Sequence, residues 1–149
     1  MPLTTVHTVA DLRATVADWR AQGLRVALVP TMGALHDGHI SLTRLAREHA
    51  DRVIVSIFVN PTQFGPNEDF GAYPRTLPDD QKLLDAAGVE LCFAPSVEEM
   101  YPDGFATKVS VDGAMTNVLC GAARPGHFDG VAQIVTKLLL QALPDCAIF

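Results

Sequence analysis

Two histidines in a segment that contains glycine are the residues best suited to chemistry in this chain. Residues 30–39 read PTMGALHDGH, so His36 and His39 lie three positions apart and can share one face of a helical turn. An imidazole can donate a hydrogen bond to a phosphoryl oxygen and stabilise charge that develops there. Gly33 and Gly38 permit tight turns and the close approach of a ligand, and the free N–H groups of the following helix start favour an anion. The segment is therefore a candidate phosphate site.

Three other interpretations of this segment can be weighed from its residues. Gly33 and Gly38 have the glycine spacing of a P-loop, but His39 and Ile40 stand where a P-loop needs Lys and Ser or Thr. The histidines supply two metal ligands and the spacing indicates no third, so we predict no metal site. Two surface histidines in a loop would give the same bare HxGH pattern, and that alternative stays open on this tetrapeptide alone.

Polar residues with a possible ligand role also occur in two later loops. Asn60, Gln63 and Phe64 directly follow the apolar run at residues 52–59. Asn and Gln are costly to bury unpaired, which indicates either turn chemistry or a polar ligand. For Asn60, which precedes a proline, turn chemistry explains the residue well by itself. Arg124 lies in a loop with Gly and Pro, where a guanidinium could bind a carboxylate or phosphate, although a solvated surface Arg is the commoner case.

Helices and strands that alternate along the chain must position these residues. The expected helices cover residues 9–22 with Thr8 as the cap, about 38–49 with an apolar face of Ile40, Leu42, Leu45 and Ala46, then 79–87, 97–100 capped by Ser96, and 131–143. The expected strands cover residues 24–29, which end at Pro30, then 52–59, 89–94, 107–111 and 146–149. This order predicts an α/β domain with a mainly parallel sheet. Ligands bind such sheets at the carboxyl ends of the strands, which directs attention to the loops described above.

Length and composition narrow the class of protein. The 149 residues suit one domain, and 48% hydrophobic with 19% charged residues exclude wholesale disorder. A formal charge of -6 argues against broad binding to nucleic acid, so we expect no nucleic-acid partner. The sequence shows no signal-peptide pattern and no apolar run of the roughly 18 residues that a membrane span needs. Cys92, Cys120 and Cys146 are widely spaced and form no CxxC pair, so we expect a cytoplasmic protein without disulfides.

Several motifs together resemble one enzyme family. Residues 30–39, VSIFVNPTQF at 55–64 and CGAARPGHFDGV at 120–131 are similar to the pantoate–β-alanine ligase family, within the HxGH nucleotidyltransferase superfamily. YPR at 73–75 and MYPDG at 100–104 also fall where that family has them. The resemblance implies a three-layer Rossmann-like domain that binds ATP, accompanied by Mg²⁺, and pantoate. It implies a ligase that condenses pantoate with β-alanine through a pantoyl adenylate and releases pyrophosphate and AMP.

The same resemblance implies roles for individual residues. His39 matches the histidine assigned as proton donor and His36 matches the other histidine of the motif. Gln63 matches a residue that contacts pantoate and β-alanine, Asn60 matches one in the same pocket, and Phe64 and Arg124 are expected to support substrate binding. The implied ATP-binding residues are Pro30, Thr31, Met32, Gly33, Ala34, Leu35, His36, Asp37, Gly38 and His39.

The resemblance covers only the N-terminal portion of the family's pattern. Beyond the last strand the family has a GEKD-type segment, a glutamine that binds pantoate and a small C-terminal domain. We therefore expect residues 1–149 to be an incomplete ATP- and pantoate-binding domain with little or no ligase activity, derived from a parent ligase. Family members are dimers, so we expect a homodimer. A non-catalytic binding or dimerisation fragment and another HxGH nucleotidyltransferase are the alternatives.

Overall fold

A sheet of five parallel strands carries the structure, a computed structural model that describes residues 1–112 and 127–149. The strands are β1 (Thr4–Val6), β2 (Val26–Thr31), β3 (Arg52–Ile57), β4 (Leu91–Phe93) and β5 (Cys146–Ala147). The α-helices are α1 (Val9–Ala21), α2 (Asp37–His49), α3 (Leu77–Ala86), α4 (Val97–Met100) and α5 (His127–Ala142), and a 3₁₀ turn covers Pro61–Gln63. The alternation of strands and helices confirms the predicted α/β class.

The strand order creates a point where the chain changes direction across the sheet. The order is β1-β4-β3-β2-β5, and every neighbouring pair is parallel. From β2 the chain adds β3 and then β4 on one side, whereas β5 returns to the other side of β2. The carboxyl ends of β2 and β5 therefore flank a topological switch point, where ligands of open parallel sheets bind.

Helices cover both faces of the sheet and give it three layers. On one face Leu28, Ile54 and Phe93 pack in a cluster with apolar residues of α1 and α5. On the other face Val55 and Cys92 pack in a cluster with residues of α2 and α3. This double cover explains why the β3 sequence RVIVSI is almost entirely apolar. Cys92 is a small core residue, and burial raises the pKa of its thiol to about 12.

Pro30 does not end its strand, which corrects the predicted boundary. β2 runs on to Thr31, and Pro30 is in register with Ser56 of β3. The carbonyls of Arg25 and Thr31 accept hydrogen bonds from the β3 side, whereas that of Leu28 accepts from Ile148 on the β5 side. Backbone groups alternate along a strand, so the nitrogen of Pro30 faces the β5 side. The paired residues of β5 end before that position, and the missing N–H therefore breaks no bond to β3.

The strand predicted at residues 107–111 is wrong. This segment is irregular, and side chains of α5 take the place of a neighbouring strand. The Gln133 amide accepts from the N–H of Val109 and donates to the carbonyl of Thr107, over 2.6 and 2.9 Å. The Val111 N–H reaches Asp129 Oδ1 at 3.2 Å. Because these backbone groups are already bonded, the alternating pattern of the segment does not require a sheet.

Smaller differences concern the ends and faces of elements. The sequence patterns gave no sign of β1, and α5 begins at His127 rather than residue 131. Leu45, expected on the apolar face of α2, is 42% exposed, whereas Thr43 is buried and satisfies its hydroxyl on the Ile40 carbonyl. Among the described residues, the helices are too short or too polar to cross a membrane.

A buried carboxylate, paired with an exposed arginine, joins α2 to the amino ends of β3 and β4. Glu90 is 7% exposed, and its carboxylate accepts from the Val53 N–H at 2.8 Å and from the Arg47 guanidinium. Arg47 also donates to the carbonyl of Gly88. One carboxylate thus satisfies a buried backbone donor and holds the last turn of α2 against the sheet.

Replacing Glu90 should destabilise the fold at this junction. We expect Glu90→Ala to lower the free energy of unfolding by about 2 kcal/mol, because it leaves the buried Val53 N–H without its acceptor and removes the carboxylate that binds Arg47. Urea denaturation followed by circular dichroism measures the change. The control Glu48→Ala removes an exposed carboxylate of α2 and should change stability by less than about 0.5 kcal/mol. Equal losses in the two variants would contradict this role for Glu90.

Candidate active site

The segment at residues 30–39 begins as the end of β2 and turns sharply into α2. The Thr31 hydroxyl donates to the Ser56 carbonyl at 2.8 Å and accepts from the Gly33 N–H at 3.2 Å. Gly33 has φ +81°, and a Cβ there would lie 3.0 Å from the Ile57 side chain and 3.1 Å from Asp80. Position 33 therefore requires glycine for two reasons: its backbone is left-handed, and there is little space for a Cβ atom.

Asp80, on the first turn of α3, anchors this loop from inside the protein. It is 2% exposed, and its carboxylate accepts from the N–H groups of Ala34 at 3.0 Å and Leu35 at 2.9 Å. The Thr76 hydroxyl lies 3.2 Å from both carboxylate oxygens. Ala34 has φ +51°, which is unfavourable for a residue with a Cβ. The hydrogen bonds to a buried carboxylate hold the loop in this shape.

The two histidines cap α2 with their own side chains. Nδ1 of His36 accepts from the Gly38 N–H at 3.0 Å, and Nδ1 of His39 accepts from the His36 N–H at 3.2 Å. The ring centroids lie 4.1 Å apart. Since Nδ1 is an acceptor in both rings, a neutral imidazole here carries its proton on Nε2. Both histidines therefore offer an Nε2–H donor.

This arrangement changes the predicted source of the anion-binding donors. The sequence pattern pointed to free backbone N–H groups at the start of α2, but the Gly38 N–H is bonded to His36 and those of Ala34 and Leu35 to Asp80. The imidazole rings offer donors in their place, because each accepts a backbone N–H on one side and presents an N–H on the other. The donors that this segment could offer to a phosphate are therefore side-chain groups.

His39 is held in its neutral form. Burial lowers the pKa of His39 below its ordinary value of 6.5, and the neighbouring His36 lowers it further, while the Asp80 carboxylate acts in the opposite direction. The half-buried ring therefore remains an uncharged hydrogen-bond donor at neutral pH.

His39 and Gln63 face one cleft at the switch point of the sheet, which we call the switch-point cleft. Its volume is about 360 Å³, and its polar side includes Thr31 and Tyr73. The opposite wall is apolar and comes mainly from α5. The lining is completed by Pro30, Met32, Gly33, Phe58, Val131, Ile134, Val135, Leu138 and Phe149. The cleft thus combines polar groups from two separate segments with an apolar surface from α5.

Asn60 is buried beneath Gln63. Asn60 is 0% exposed, and its Nδ2 donates to Gln63 Oε1 and to the Gly130 carbonyl, both at 3.1 Å. Its Oδ1 accepts from the Thr62 N–H and hydroxyl and from the Tyr101 hydroxyl. All amide groups of Asn60 are thus engaged within the protein, which agrees with turn chemistry and positions Gln63.

The start of α5 fixes the same turn from the other side. A Cβ on Gly130 would lie 2.3 Å from the Thr62 carbonyl oxygen, so the helix approaches the turn at backbone distance. His127 Nδ1 lies 3.1 Å from the Gln63 carbonyl, which can only accept, so the ring donates. The sequence offered no role for His127, although a glycine inside an apolar helix does signal a close approach.

Several predicted residues that the structure describes do not line the switch-point cleft, namely Ala34, Leu35, His36, Asp37, Gly38, Asn60 and Phe64. Phe64 packs edge-on against Phe70 and Tyr73, with ring centroids 5.4 and 6.0 Å away, and does not line this cleft. Leu35 is buried in the core and Asp37 is exposed at the start of α2. Arg124 falls outside the described residues.

A second cleft of about 390 Å³ lies beside the first, at the carboxyl ends of β3 and β4. It shares Met32, Gly33 and Phe58 with the switch-point cleft and also reaches Asp80. Its lining is mostly apolar but includes the guanidinium of Arg75, and its Asp80 carboxylate is already bonded to the loop. The first cleft therefore offers imidazole and amide donors, and the second offers a guanidinium.

The described residues offer no evident binding set for Mg²⁺. Within residues 1–112 and 127–149, no three His, Cys, Asp or Glu side chains are grouped so that they could hold a metal ion. Mg²⁺ prefers oxygen ligands, whereas the cleft presents imidazole and amide groups, and both oxygens of Asp80 accept internal hydrogen bonds. The residues present do not fit a resident magnesium ion.

Fold and cleft together define a class of protein: an α/β domain whose parallel sheet presents hydrogen-bond donors to a small ligand at its switch point. The chain belongs to the pantoate–β-alanine ligase family, whose model matches residues 4–149.

Curated relatives and solved structures agree with this membership. A pantothenate synthetase of Paramagnetospirillum magneticum is 64% identical over 144 residues, which are 97% of this chain and 50% of that protein. A crystal structure of the Thermus thermophilus pantothenate synthetase is 52% identical with a TM-score of 0.91, covering 97% of this chain and 51% of that one. The Francisella tularensis pantoate-β-alanine ligase, complexed with βγ-ATP and β-alanine, is 40% identical with a TM-score of 0.90, covering 97% and 55%. The chain spans about half the length of the curated relatives it matches.

The pKa of His39 should report on the Asp80 carboxylate. We expect the His39 ring to titrate below 6.5 in NMR spectra, and Asp80→Asn to lower this pKa further, because the charge that favours the protonated ring is lost. Asp80→Asn should also destabilise the fold by about 2 kcal/mol, since one acceptor for the loop N–H groups disappears. In the unfolded chain His39 takes up a proton near pH 6.5, whereas in the folded chain its lowered pKa delays protonation to a lower pH. Below about pH 6.5 the unfolded state therefore binds more protons than the folded state, and the free energy of unfolding falls.

Asp79→Asn is the matched control, because Asp79 is the exposed neighbour on the same turn of α3. It should leave both the His39 titration and the free energy of unfolding nearly unchanged. A His39 pKa at or above 6.5, or one that Asp79→Asn moves as far as Asp80→Asn does, would contradict the assignment.

Proposed function

We propose that this chain forms the ATP- and pantoate-binding part of a pantoate–β-alanine ligase. The reaction is the condensation of pantoate with β-alanine at the expense of ATP, which yields pantothenate, AMP and pyrophosphate. The observation that carries the proposal is that His39 and Gln63, from two separate loops of a family member, face one cleft at the switch point of the sheet. The ATP and β-alanine in the Francisella complex support the choice of substrates for the family.

The chemistry proceeds in two balanced steps. First, a carboxylate oxygen of pantoate attacks the α-phosphorus of ATP, and the bond from that phosphorus to the bridging oxygen breaks to release pyrophosphate. Second, the β-alanine amine attacks the activated carbonyl carbon, the carbon–oxygen bond to AMP breaks, and the amine loses a proton. Adenylation is needed because a free carboxylate is a poor electrophile and AMP is a good leaving group.

His36 and His39 are proposed to act in the first step. Negative charge accumulates on phosphate oxygens as pyrophosphate departs, and donors held in place before the reaction stabilise that charge most effectively. The backbone bonds at Nδ1 fix both rings with Nε2–H as the donor, so little reorganisation is required. His39 lines the cleft and is proposed as the donor to the reacting phosphate group.

Gln63 is proposed to bind pantoate. Its Oε1 accepts from Asn60, so its Nε2 is left to donate to an oxygen of the substrate. The apolar α5 wall opposite, with Ile134 and Val135, suits the branched carbon skeleton of pantoate. Phe64 supports the loop through Phe70 and Tyr73 in this proposal, and Asn60 acts through Gln63.

Other parts of the proposal concern the whole protein. ATP is proposed to arrive as its Mg²⁺ complex, with no step assigned to the metal. A homodimer and a cytoplasmic location complete the proposal, and sedimentation velocity of the chain tests the dimer. Because the chain spans about half the length of its relatives, we expect ligand binding with turnover well below that of a full-length relative.

Removing the imidazole of His39 should slow formation of the adenylate. In a single-turnover experiment with the chain in excess over labelled ATP, we expect His39→Ala to reduce pantoate-dependent pyrophosphate release about 100-fold. His49→Ala is the matched control, because it removes an exposed imidazole from the other end of α2. It should leave the rate unchanged, and circular dichroism should show that both variants are folded.

Two results would overturn the proposal. An unchanged rate in His39→Ala would remove this residue from the reaction. Titration calorimetry that detects neither pantoate nor ATP binding to the unsubstituted chain would refute the proposed binding function. Turnover equal to that of a full-length relative would contradict the expectation of low activity in this chain.

A further inference from the structure

Tyr101 packs against residues of the site. It follows α4, and its ring lies 6.2 Å from Phe58 and 5.1 Å from Phe105 between centroids, with the Lys137 ammonium 5.2 Å from the ring centre. Its hydroxyl lies 2.7 Å from Asn60 Oδ1 and donates to it, since a carbonyl oxygen can only accept. Tyr101 does not line the switch-point cleft. Tyr101 contacts two residues of the site region: it binds Asn60 through its hydroxyl and packs against Phe58, which lines the cleft. The hydroxyl bond to Asn60 is the contact that can orient a polar group of the site.

The contacts of Asn60 define which way its amide points. The Tyr101 hydroxyl and the Thr62 N–H both donate to Oδ1, whereas the Gly130 carbonyl can only accept from Nδ2. A flipped amide would place NH₂ against two donors and oxygen against an acceptor. The Tyr101 bond is the shortest of the set. Burial raises the pKa of Tyr101, so the hydroxyl keeps the proton that it donates.

The orientation of Asn60 determines that of Gln63. Asn60 Nδ2 donates to Gln63 Oε1, so the NH₂ group of Gln63 is directed elsewhere. Within the part of the chain that the structure describes, Gln63 Nε2 has no hydrogen-bond partner. Gln63 lines the switch-point cleft, so its Nε2 is available to an acceptor oxygen there.

We propose that Tyr101 is a positioning residue for substrate binding, which acts through Asn60 to keep the amide nitrogen of Gln63 available to an acceptor oxygen in the switch-point cleft. The proposal rests on the proposed function for the identity of that substrate, pantoate. It assigns a role in selectivity: the cleft favours an acceptor, such as a carboxylate, at the position that Gln63 faces.

NMR of the ligand-free chain tests the orientation directly. The side-chain amides of Asn60 and Gln63 should each give one set of ¹⁵N–¹H₂ signals. Tyr101→Phe should broaden or double them, because it removes the shortest of the hydrogen bonds that hold the Asn60 amide and leaves only those of Thr62 and Gly130. Phe105→Leu is the matched control, since it removes a ring that touches Tyr101 and leaves the hydroxyl in place. It should keep one set. Unchanged amide signals in Tyr101→Phe, or equal disturbance in the control, would overturn the proposal.

A double-mutant cycle tests whether Tyr101 acts through Gln63. By calorimetry, Tyr101→Phe should weaken pantoate binding about 5-fold in the unsubstituted chain and less than about 2-fold in the Gln63→Ala background, with ATP binding unchanged in both. An equal loss of pantoate binding in the two backgrounds would show that Tyr101 acts independently of Gln63, and would overturn the proposal.

The two experiments separate failure of this inference from failure of the proposed function. If the unsubstituted chain does not bind pantoate, the proposed function is refuted, while the amide signals still decide whether Tyr101 orients Gln63. If the chain binds pantoate and Tyr101→Phe changes neither the signals nor the affinity, the proposed function stands and the role of Tyr101 is refuted.

Discussion

The buried carboxylate of Asp80 is the contact on which the geometry of the site depends. The loop between β2 and α2 must reverse direction within five residues, and it does so through Gly33 and Ala34 with positive φ angles. Such a backbone has N–H groups that no regular element satisfies, and leaving them unpaired in the interior is costly. Asp80 accepts from two of them and Thr76 completes its contacts, so α3 holds the loop that carries His36 and His39. The same charge favours protonation of His39, and burial outweighs it.

A common device appears at both loops that face the cleft. In each loop, one polar atom of a side chain is engaged in a hydrogen bond within the protein. The other polar atom of that side chain then remains to donate to a ligand. In the first loop the imidazoles of His36 and His39 accept N–H groups at Nδ1, and in the second loop Asn60 occupies Oε1 of Gln63. Among residues 1–112 and 127–149, the Nε2 atoms of these three side chains have no hydrogen-bond partner. Each outward donor is thus set by an inward hydrogen bond.

Hydrophobic periodicity and turn residues predicted most of the elements. The signal is strong in β3, which is apolar because both of its faces are covered, and in α1, whose buried residues recur at helical spacing. Thr8 and Ser96 are recognisable as caps for the same local reason. Long-range contacts escaped prediction. Asp80 follows another Asp at the start of α3, where acidic residues are common. The residues around it therefore give no sign that it holds the loop between β2 and α2. Residues 107–111 alternate like a strand, but Gln133 and Asp129, more than 15 positions later, satisfy their backbone. Pro30 stays in its strand because its nitrogen faces the β5 side, beyond the paired residues of β5. The sequence could not show this, because only the strand order tells which neighbour lies on that side.

The net charge of the chain bears on how the proposed ligand ATP could bind. A chain with a net charge of -6 repels a triphosphate at long range, so favourable contacts have to be concentrated in the binding cleft. The described side chains that line the switch-point cleft include no Lys, Arg, Asp or Glu. In the proposed function this cleft supplies neutral donors at fixed positions, which would distinguish ligands by the placement of their oxygens. A low pKa at His39 serves this purpose, because a ring that stays neutral keeps its Nδ1 bond to the backbone and hence the direction of its Nε2–H.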